Sequence, residues 1–378
     1  MIADIRIRNG RIIDPSRAID RVGEVLVAQG RVIDAEANKN VEAMVDIDAS
    51  GCVVTPGLID FHNHIFDAGS DLCIPADASM LPAGVTAAVD AGSAGASTIE
   101  LFLSTMLTQR VRFKAFMHVC PTGQGTTQFH ETMKPESWDR PRMAWMLEKH
   151  KDSILGLKIR FSEELVGDQG DKPLRETMAL AGGLGVPVCV HTTNPPSSTE
   201  ALLDLLRPGD IFCHVFHGKG TTIIENGKVK KAVHEAKKRG VIFDACNGSN
   251  HFAFDTAIPA LADGFFPDVI STDLTVKTLW RSPVAALPYI LSKYIALGCD
   301  LPQIIKAATE TPAKLMGMEG EIGTLAPGAL GDVSIFALRE RPVTFMDTFK
   351  KTVNGNAMLT PLMTVSGGQI LYRSLDFI

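Results

Sequence analysis

No apolar run in the 378 residues reaches the roughly 18 needed for a helix to cross a bilayer, so a soluble chain is expected. Positive charge is not in excess either. With 43 acidic against 37 basic residues and a formal charge of −6, there is no electrostatic footprint for nucleic acid or an anionic membrane surface, and a small-molecule partner is expected. The first eight residues alternate like a strand and lack the charged, apolar and small-residue regions of an export signal. No CxxC pair occurs among the 7 cysteines, which are scattered singly, several in apolar runs such as "PVCVH" and "IFCHV". They read as reduced, buried, small hydrophobes of a cytoplasmic protein, although Cys189 and Cys213 stand beside histidines and are alternative soft-metal ligands. No GxGxxG follows a first strand, which weakens a dinucleotide-binding reading.

What is present falls into two textures. Residues 1–54 contain short alternating runs, "DIRIRNGRIID", "GEVLVAQGRVID" and "MVDIDASGCVVT", separated by Asn-Gly, Gln-Gly and Ser-Gly turn signals. The same texture returns within 319–378, in "GTLAPGALGDVSIFAL" and "PLMTVSGGQILYRS". Both ends of the chain are therefore expected to pair into one small antiparallel β domain, a β-sandwich. Over 55–318, apolar runs alternate with amphipathic segments of helical length, the rhythm of a parallel sheet. The strand candidates are "GCVVTPGLIDFHNH", "GVTAAVDAG", "RFKAFMHVC", "ILGLKIRF", "VPVCVHT", "DIFCHVFHG", "GVIFDAC" and "DVISTDL". Eight βα units make an α/β fold, a (β/α)8 TIM barrel, the expected architecture, with an open doubly wound sheet as the alternative.

In such a barrel the catalytic groups gather at the C-terminal ends of the strands. His62 and His64 end the first candidate, Lys158 lies late in the fourth, His191 ends the fifth, His214 lies late in the sixth and Asp273 ends the eighth. Strand alternation points His62 and His64 the same way, and likewise Lys158 and Arg160. Each residue alone reads as a packed core or rim group. Together, four histidines and an aspartate are costly to bury unless something uses them, and imidazole with carboxylate is a ligand set for zinc and its neighbours. Lys158 in "GLKIRF" places an amine in an apolar strand, where burial is expected to lower its pKa. A neutral amine is a nucleophile, and capture of CO₂ by it would give a carbamate able to bridge two cations.

These ordered motifs, together with "TPAKLMGMEGEIGTLAPGALGDVSIF", resemble those of the amidohydrolase superfamily of metal-dependent hydrolases over nearly the whole chain. The chain is most similar to its deacetylase-like branch, whose members include hydrolases of acetylated small carboxylates; "GLKIRFS" and "VFHGKGTTIIENGKVK" carry that narrower placement. The resemblance implies two divalent metal ions, zinc by preference. His62, His64 and Asp273 would hold one, His191 and His214 the other, and carboxylated Lys158 would bridge them. It further implies a binuclear hydrolase that cleaves an ester or amide of a small acylated carboxylate through a metal-bridging hydroxide, with Asp273 as the catalytic proton acceptor. Arg160 is a candidate clamp for a substrate carboxylate or else half of a rim salt bridge. His118 and His251 are further candidates for substrate binding. After strand seven, where relatives often carry Gly-His-Gly, this chain reads Cys246-Asn247-Gly248-Ser249-Asn250-His251, so either His251 replaces that histidine from a shifted position or substrate recognition differs. His217 is expected to point away from the cluster, the loop from His217 to Lys231 suits a lid or a plain surface loop, and a homo-oligomer is possible on these grounds. Competing readings are a cyclic amide hydrolase of dihydroorotase or hydantoinase type and, in another class, a barrel scaffold without catalysis.

Overall fold

A computed structural model describes residues 2–38, 40–128 and 130–377, so that Met1 of the first run lies outside the described residues. The N-terminal segment contributes β1 (Ala3–Asp14), β2 (Ile19–Ala28), β3 (Arg31–Ile33), β4 (Ala43–Asp48) and β5 (Val53–Pro56). β1 and β2 pair antiparallel, but β4 and β5 both run parallel to β1, so the sheet is mixed rather than antiparallel as expected. Two of the three turn signals make turns: Gln29-Gly30 joins β2 to β3, and Ser50-Gly51 separates β4 from β5. Asn9-Gly10 instead lies inside β1, where the register shifts and Asn9 takes a φ of 64°. A bulge absorbs the left-handed residue without ending the strand.

The first strand candidate of the middle region is not one strand but two. It breaks at Gly57 between β5, in the mixed sheet, and β6 (Leu58–Asn63), which opens a second sheet. A side chain cannot stand at that junction, since a Cβ on Gly57 would lie 2.2 Å from Thr86 Oγ1. The second sheet continues with β7 (Val85–Gly95), β8 (Arg112–His118), β9 (Ile154–Arg160), β10 (Val188–His191) and β11 (Ile211–Cys213). After a short ribbon, β12 (Ile224–Glu225) with β13 (Lys228–Val229), it ends at β14 (Ile242–Asp244). All neighbours in it are parallel, in the order β6-β7-β8-β9-β10-β11-β14. The eighth candidate forms no strand but touches both edges through single parallel bridges, Val269 with Asp244 and Leu274 with Asn63. Helices occupy the expected intervals. Lys172–Leu184 and Lys231–Arg239 end on the left-handed glycines Gly185 and Gly240, which receive the chain reversal that a Cβ would oppose.

The chain then returns through β15 (Val333–Met346), β16 (Thr352–Ser366) and β17 (Gln369–Arg373). β15 pairs antiparallel with β5, and so the two ends of the chain meet in one sheet. Ile5, Ile7, Val25 and Val27 from one end pack with Val333, Ile335 and Met363 from the other in a shared core. In the parallel sheet, alternate residues serve different cores. Leu157, Ile159, Val188 and Val190 pack with the helices, whereas Ile59, Phe116, Cys189, Cys213 and Cys246 form a second cluster. Among the described residues no helix is long and apolar enough to cross a membrane.

Candidate metal centre

The end of β6 is held by the last residues of the eighth candidate. Asp273 donates its backbone N–H to His62 O at 2.7 Å, and His64 donates its own to Leu274 O at 3.2 Å. Asp60, buried in β6, accepts from both the backbone N (3.0 Å) and Oγ1 (2.6 Å) of Thr272. That clamp sets Asp273, at a left-handed φ of 54°, against both histidines: Oδ1 lies 3.2 Å from His64 Nε2 and 3.8 Å from His62 Nε2. Such a conformation costs a non-glycine residue about 1–3 kcal/mol and persists where its surroundings over-determine it.

The rings of His62, His64, His214 and His251 are oriented from behind. His64 Nδ1 stands 2.8 Å from Ser93 Oγ, and Ser93 is itself fixed by its N–H to Asp90 Oδ1 at 2.7 Å. His62 Nδ1 stands 3.3 Å from Asp244 Oδ2, whose other oxygen accepts from Ser271 Oγ at 2.7 Å. His214, with a φ of 61°, directs Nδ1 to Cys246 O at 2.9 Å. A carbonyl only accepts, so that Nδ1 carries the hydrogen and Nε2 is left with a bare lone pair, the state a cation needs. His251 Nδ1 lies 2.8 Å from Thr193 Oγ1. Among the groups whose potential ligand atoms lie within 4.8 Å of one another are His62, His64 and Asp273, and His191, His214 and His251.

Lys158 stands between them, 1% exposed, with Nζ 3.2 Å from His62 Nε2 and 3.6 Å from Cys189 Sγ. Gly92 gives it room, for a Cβ there would lie 2.6 Å from Lys158 Cγ. Burial opposes the ammonium, but Cys189, Cys213, Cys246 and Asp273 favour it, and the net direction is upward, contrary to the lowered pKa expected from the sequence. At neutral pH the thiols are themselves held protonated by burial, which leaves Asp273 as the favourable neighbour. A protonated thiol is also a poor ligand, although Cys213 and Cys246 lie with His62 and Asp244 within ligand reach of one another.

Burial pushes His62, His191 and His214 well below the usual histidine range and His251 down to about 4, so these imidazoles are neutral at pH 7. Burial also pushes Asp60 and Asp244 up to about 7. Asp273 goes the other way: burial works against its charge, but the hydrogen bond from His64 and the surrounding histidines hold it well below the usual carboxylate range. A neutral-imidazole, anionic-carboxylate donor set fits a divalent cation of the zinc type.

These groups open into a cavity of about 290 Å³, lined by His62, His64, Lys158, His191, His214, His251 and Asp273 and, toward its mouth, by Gln124, Thr127, His130 and Lys277. Arg160 lines it too, with Nη1 2.7 Å from Glu131 Oε1, so the rim salt bridge is formed through that nitrogen. His118 does not reach the cavity. It is fully buried behind Glu131, with Nδ1 accepting from Cys120 N at 2.9 Å and Nε2 3.8 Å from Glu131 Oε1. His217 is buried and does not line the cavity, but strand parity is not the reason, since β11 ends at Cys213 and both His214 and His217 lie beyond it. None of the residues 218–231 lines the cavity, and Val229 N is tied to Asp263 Oδ2 at 3.0 Å, so the lid suggestion finds no support. Sequence reasoning missed Asp60, Asp90 and Asp244, whose signal was a carboxylate inside or ending an apolar strand. It also missed Glu131, which has no local signal at all.

The family description "Amidohydrolase family" matches residues 53–371. A deacetylase of Brucella anthropi is 28% identical over 361 residues, covering 94% of this chain and 89% of that protein. The crystal structure of an adenine deaminase superposes with a TM-score of 0.89 at 27% identity, covering 98% of this chain and all of the other (100%). That of a dihydroorotase does so with a TM-score of 0.87 at 26% identity, covering 98% of each. With strand-end histidines, a fitting lysine and aspartate, and a match across most of its length, the chain belongs to the amidohydrolase family and is a hydrolytic enzyme.

Proposed function

We propose that this enzyme is a binuclear metal-dependent hydrolase that removes an acyl group, acetyl by preference, from the ester or amide of a small carboxylate. The observation that carries the reading is the convergence of oriented imidazoles on both sides of Lys158. His62, His64 and Asp273 would hold one divalent ion, His191 and His214 the other, and Lys158 would bridge them as its carbamate. Its ammonium, which has no carboxylate in ion-pair contact among the described residues, would first give up a proton to solvent; the neutral Nζ would then add to the carbon of CO₂ and lose a second proton, leaving a carbamate anion where a cation stood. Bound divalent ions would polarise a carbonyl and lower the pKa of water to about 7.

The chain's own groups do the rest. Asp273, anionic and turned toward the cavity by the Asp60–Thr272 clamp, accepts the proton of the attacking water and returns it to the leaving group. Ser93, Asp244 and the Cys246 carbonyl keep the rings aligned. The segment 269–274, bridged to both edges of the parallel sheet, takes the eighth position of a (β/α)8 barrel. The residues at both chain ends form its smaller β domain, with 55–318 as the barrel.

The relative called a deacetylase favours acyl removal. A second reading, opening of a cyclic amide, is favoured by the likeness to a dihydroorotase over almost the full length of both chains. Elemental analysis of protein prepared with bicarbonate and zinc should give about two metals per chain, and fewer in Lys158→Ala. One metal in both would remove the carbamate-bridged pair. Turnover of N-acyl amino acids, O-acetyl hydroxy acids and cyclic ureides then separates the two substrate readings.

A further inference from the structure

The turn after β14 reads Cys246-Asn247-Gly248-Ser249-Asn250-His251. Asn247 does not enter the cavity: it is 1% exposed, its Nδ2 donates to Ala245 O at 2.7 Å and its Oδ1 accepts from Lys293 Nζ at 3.1 Å. An imidazole nevertheless reaches the site, from His251, further along the turn.

We propose that His251 is a metal ligand, and that the second cation is held by three imidazoles, those of His191, His214 and His251. The inference rests on the binuclear reading and adds to it a donor that the sequence pattern assigned to substrate. Its ring centroid lies 4.1 Å from that of His214 and 4.8 Å from that of His191, and the ligand atoms of all three lie within 4.8 Å of one another. Thr193 Oγ1 holds Nδ1 at 2.8 Å, and Nε2 faces inward, 3.7 Å from Asp273 Oδ2. That resembles the setting of His64, with a hydroxyl behind Nδ1 and Asp273 facing Nε2.

The backbone is drawn in to permit it. Gly248 takes a φ of 54°, and a Cβ there would lie 2.4 Å from Asp273 Oδ2 and 2.5 Å from His251 Cδ2. A residue that merely lined the pocket would not need the turn so close to the aspartate. Three packed, neutral, polar rings are costly to enclose unless their lone pairs are used, and a cation uses all three. Zinc accepts four or five donors, so a third imidazole strengthens the second site without adding charge and leaves fewer positions on that ion for substrate or water.

The test compares the parent enzyme with His251→Gln, both prepared with zinc and bicarbonate, by chelator competition for each ion and by the visible spectrum after cobalt substitution. The expected result is two ions in both at saturation, with the weaker ion of His251→Gln released at chelator concentrations lower by on the order of ten-fold or more, and an altered cobalt spectrum. Affinities within about two-fold of the parent and an unchanged spectrum, with only KM altered, overturn the assignment and leave the binuclear reading standing. A parent that binds a single ion overturns both. If His251→Gln does not fold, Thr193→Val decides by the same two measurements, since removing the hydroxyl behind Nδ1 loosens a ligand but does nothing to the metal if His251 only touches substrate.

Discussion

Arg160 Nη1 stands 2.7 Å from Glu131 Oε1, and the Glu131 side chain is only 4% exposed while that of Arg160 is 26% exposed. The carboxylate is nearly enclosed, and Arg160 leads the groups that hold its pKa below the usual value against the opposing effect of burial. Removing the cation alone therefore strands a charge. Arg160→Met should destabilise the protein by about 3 kcal/mol, near the lower end for a broken buried pair because Arg160 is partly solvated. The double variant Arg160→Met/Glu131→Met should recover most of that loss in thermal unfolding. Substrate kinetics answer a separate question. If the remaining N–H groups of Arg160 also bind a substrate carboxylate, both variants raise KM for acidic substrates and leave it unchanged for neutral ones.

Asp273 is both a ligand and the proposed proton carrier. Asp273→Asn keeps an oxygen donor but loses the charge, so kcat should fall by about 10²–10⁴ while much of the metal is retained. Metal content and turnover measured on the same preparation check this. Full activity in Asp273→Asn would rule out its role in proton transfer.

Gly248→Ala tests the close approach at the second site. It adds a methyl group against Asp273 Oδ2 and His251 at a φ of 54°, whereas Gly185, left-handed with a φ of 68°, has nothing within 4 Å of the same position. Each substitution puts a side chain at a positive φ, at a cost of about 1–2 kcal/mol. Only Gly248→Ala should lose metal and activity, by about ten-fold or more in kcat/KM. Equal activity in the two variants would mean that the turn does not shape the site.

Lys293, behind the turn that carries His251, supplies a pH prediction. Fully buried, with Nζ donating to Asn247 Oδ1 and Pro283 O at 3.1 Å each, it is pushed down to about 7 by burial. Above pH 7 the folded amine is neutral while the unfolded one still binds a proton, up to its ordinary value near 10.5. The unfolded state then holds more protons, so stability rises with pH through this window, by about 1.4 kcal/mol per pH unit from this residue. Chemical denaturation of the parent from pH 7 to 9 should show the rise relative to Lys293→Met. Parallel profiles would mean that Lys293 keeps its proton in the fold.

Much was legible in the sequence because it is written in local periods. Alternation along a strand put His62 and His64 on one side, and both do face Asp273. The alternation of apolar runs with amphipathic segments predicted a parallel sheet, and the recurrence of one texture at both chain ends predicted their union, which the pairing of β5 with β15 achieves. Those are properties of neighbouring residues, and neighbours are what a sequence displays. Only the tertiary structure decided that Gly57 splits one apolar run between two sheets, because the obstacle is Thr86 on another strand. Likewise it decided that Arg160 is paired, because Glu131 arrives from 29 positions away along a loop with no period to read. And it decided that His251 stands with His191 and His214, because the turn at Gly248 sets the imidazole by its backbone path, which depends on what the rest of the chain leaves room for.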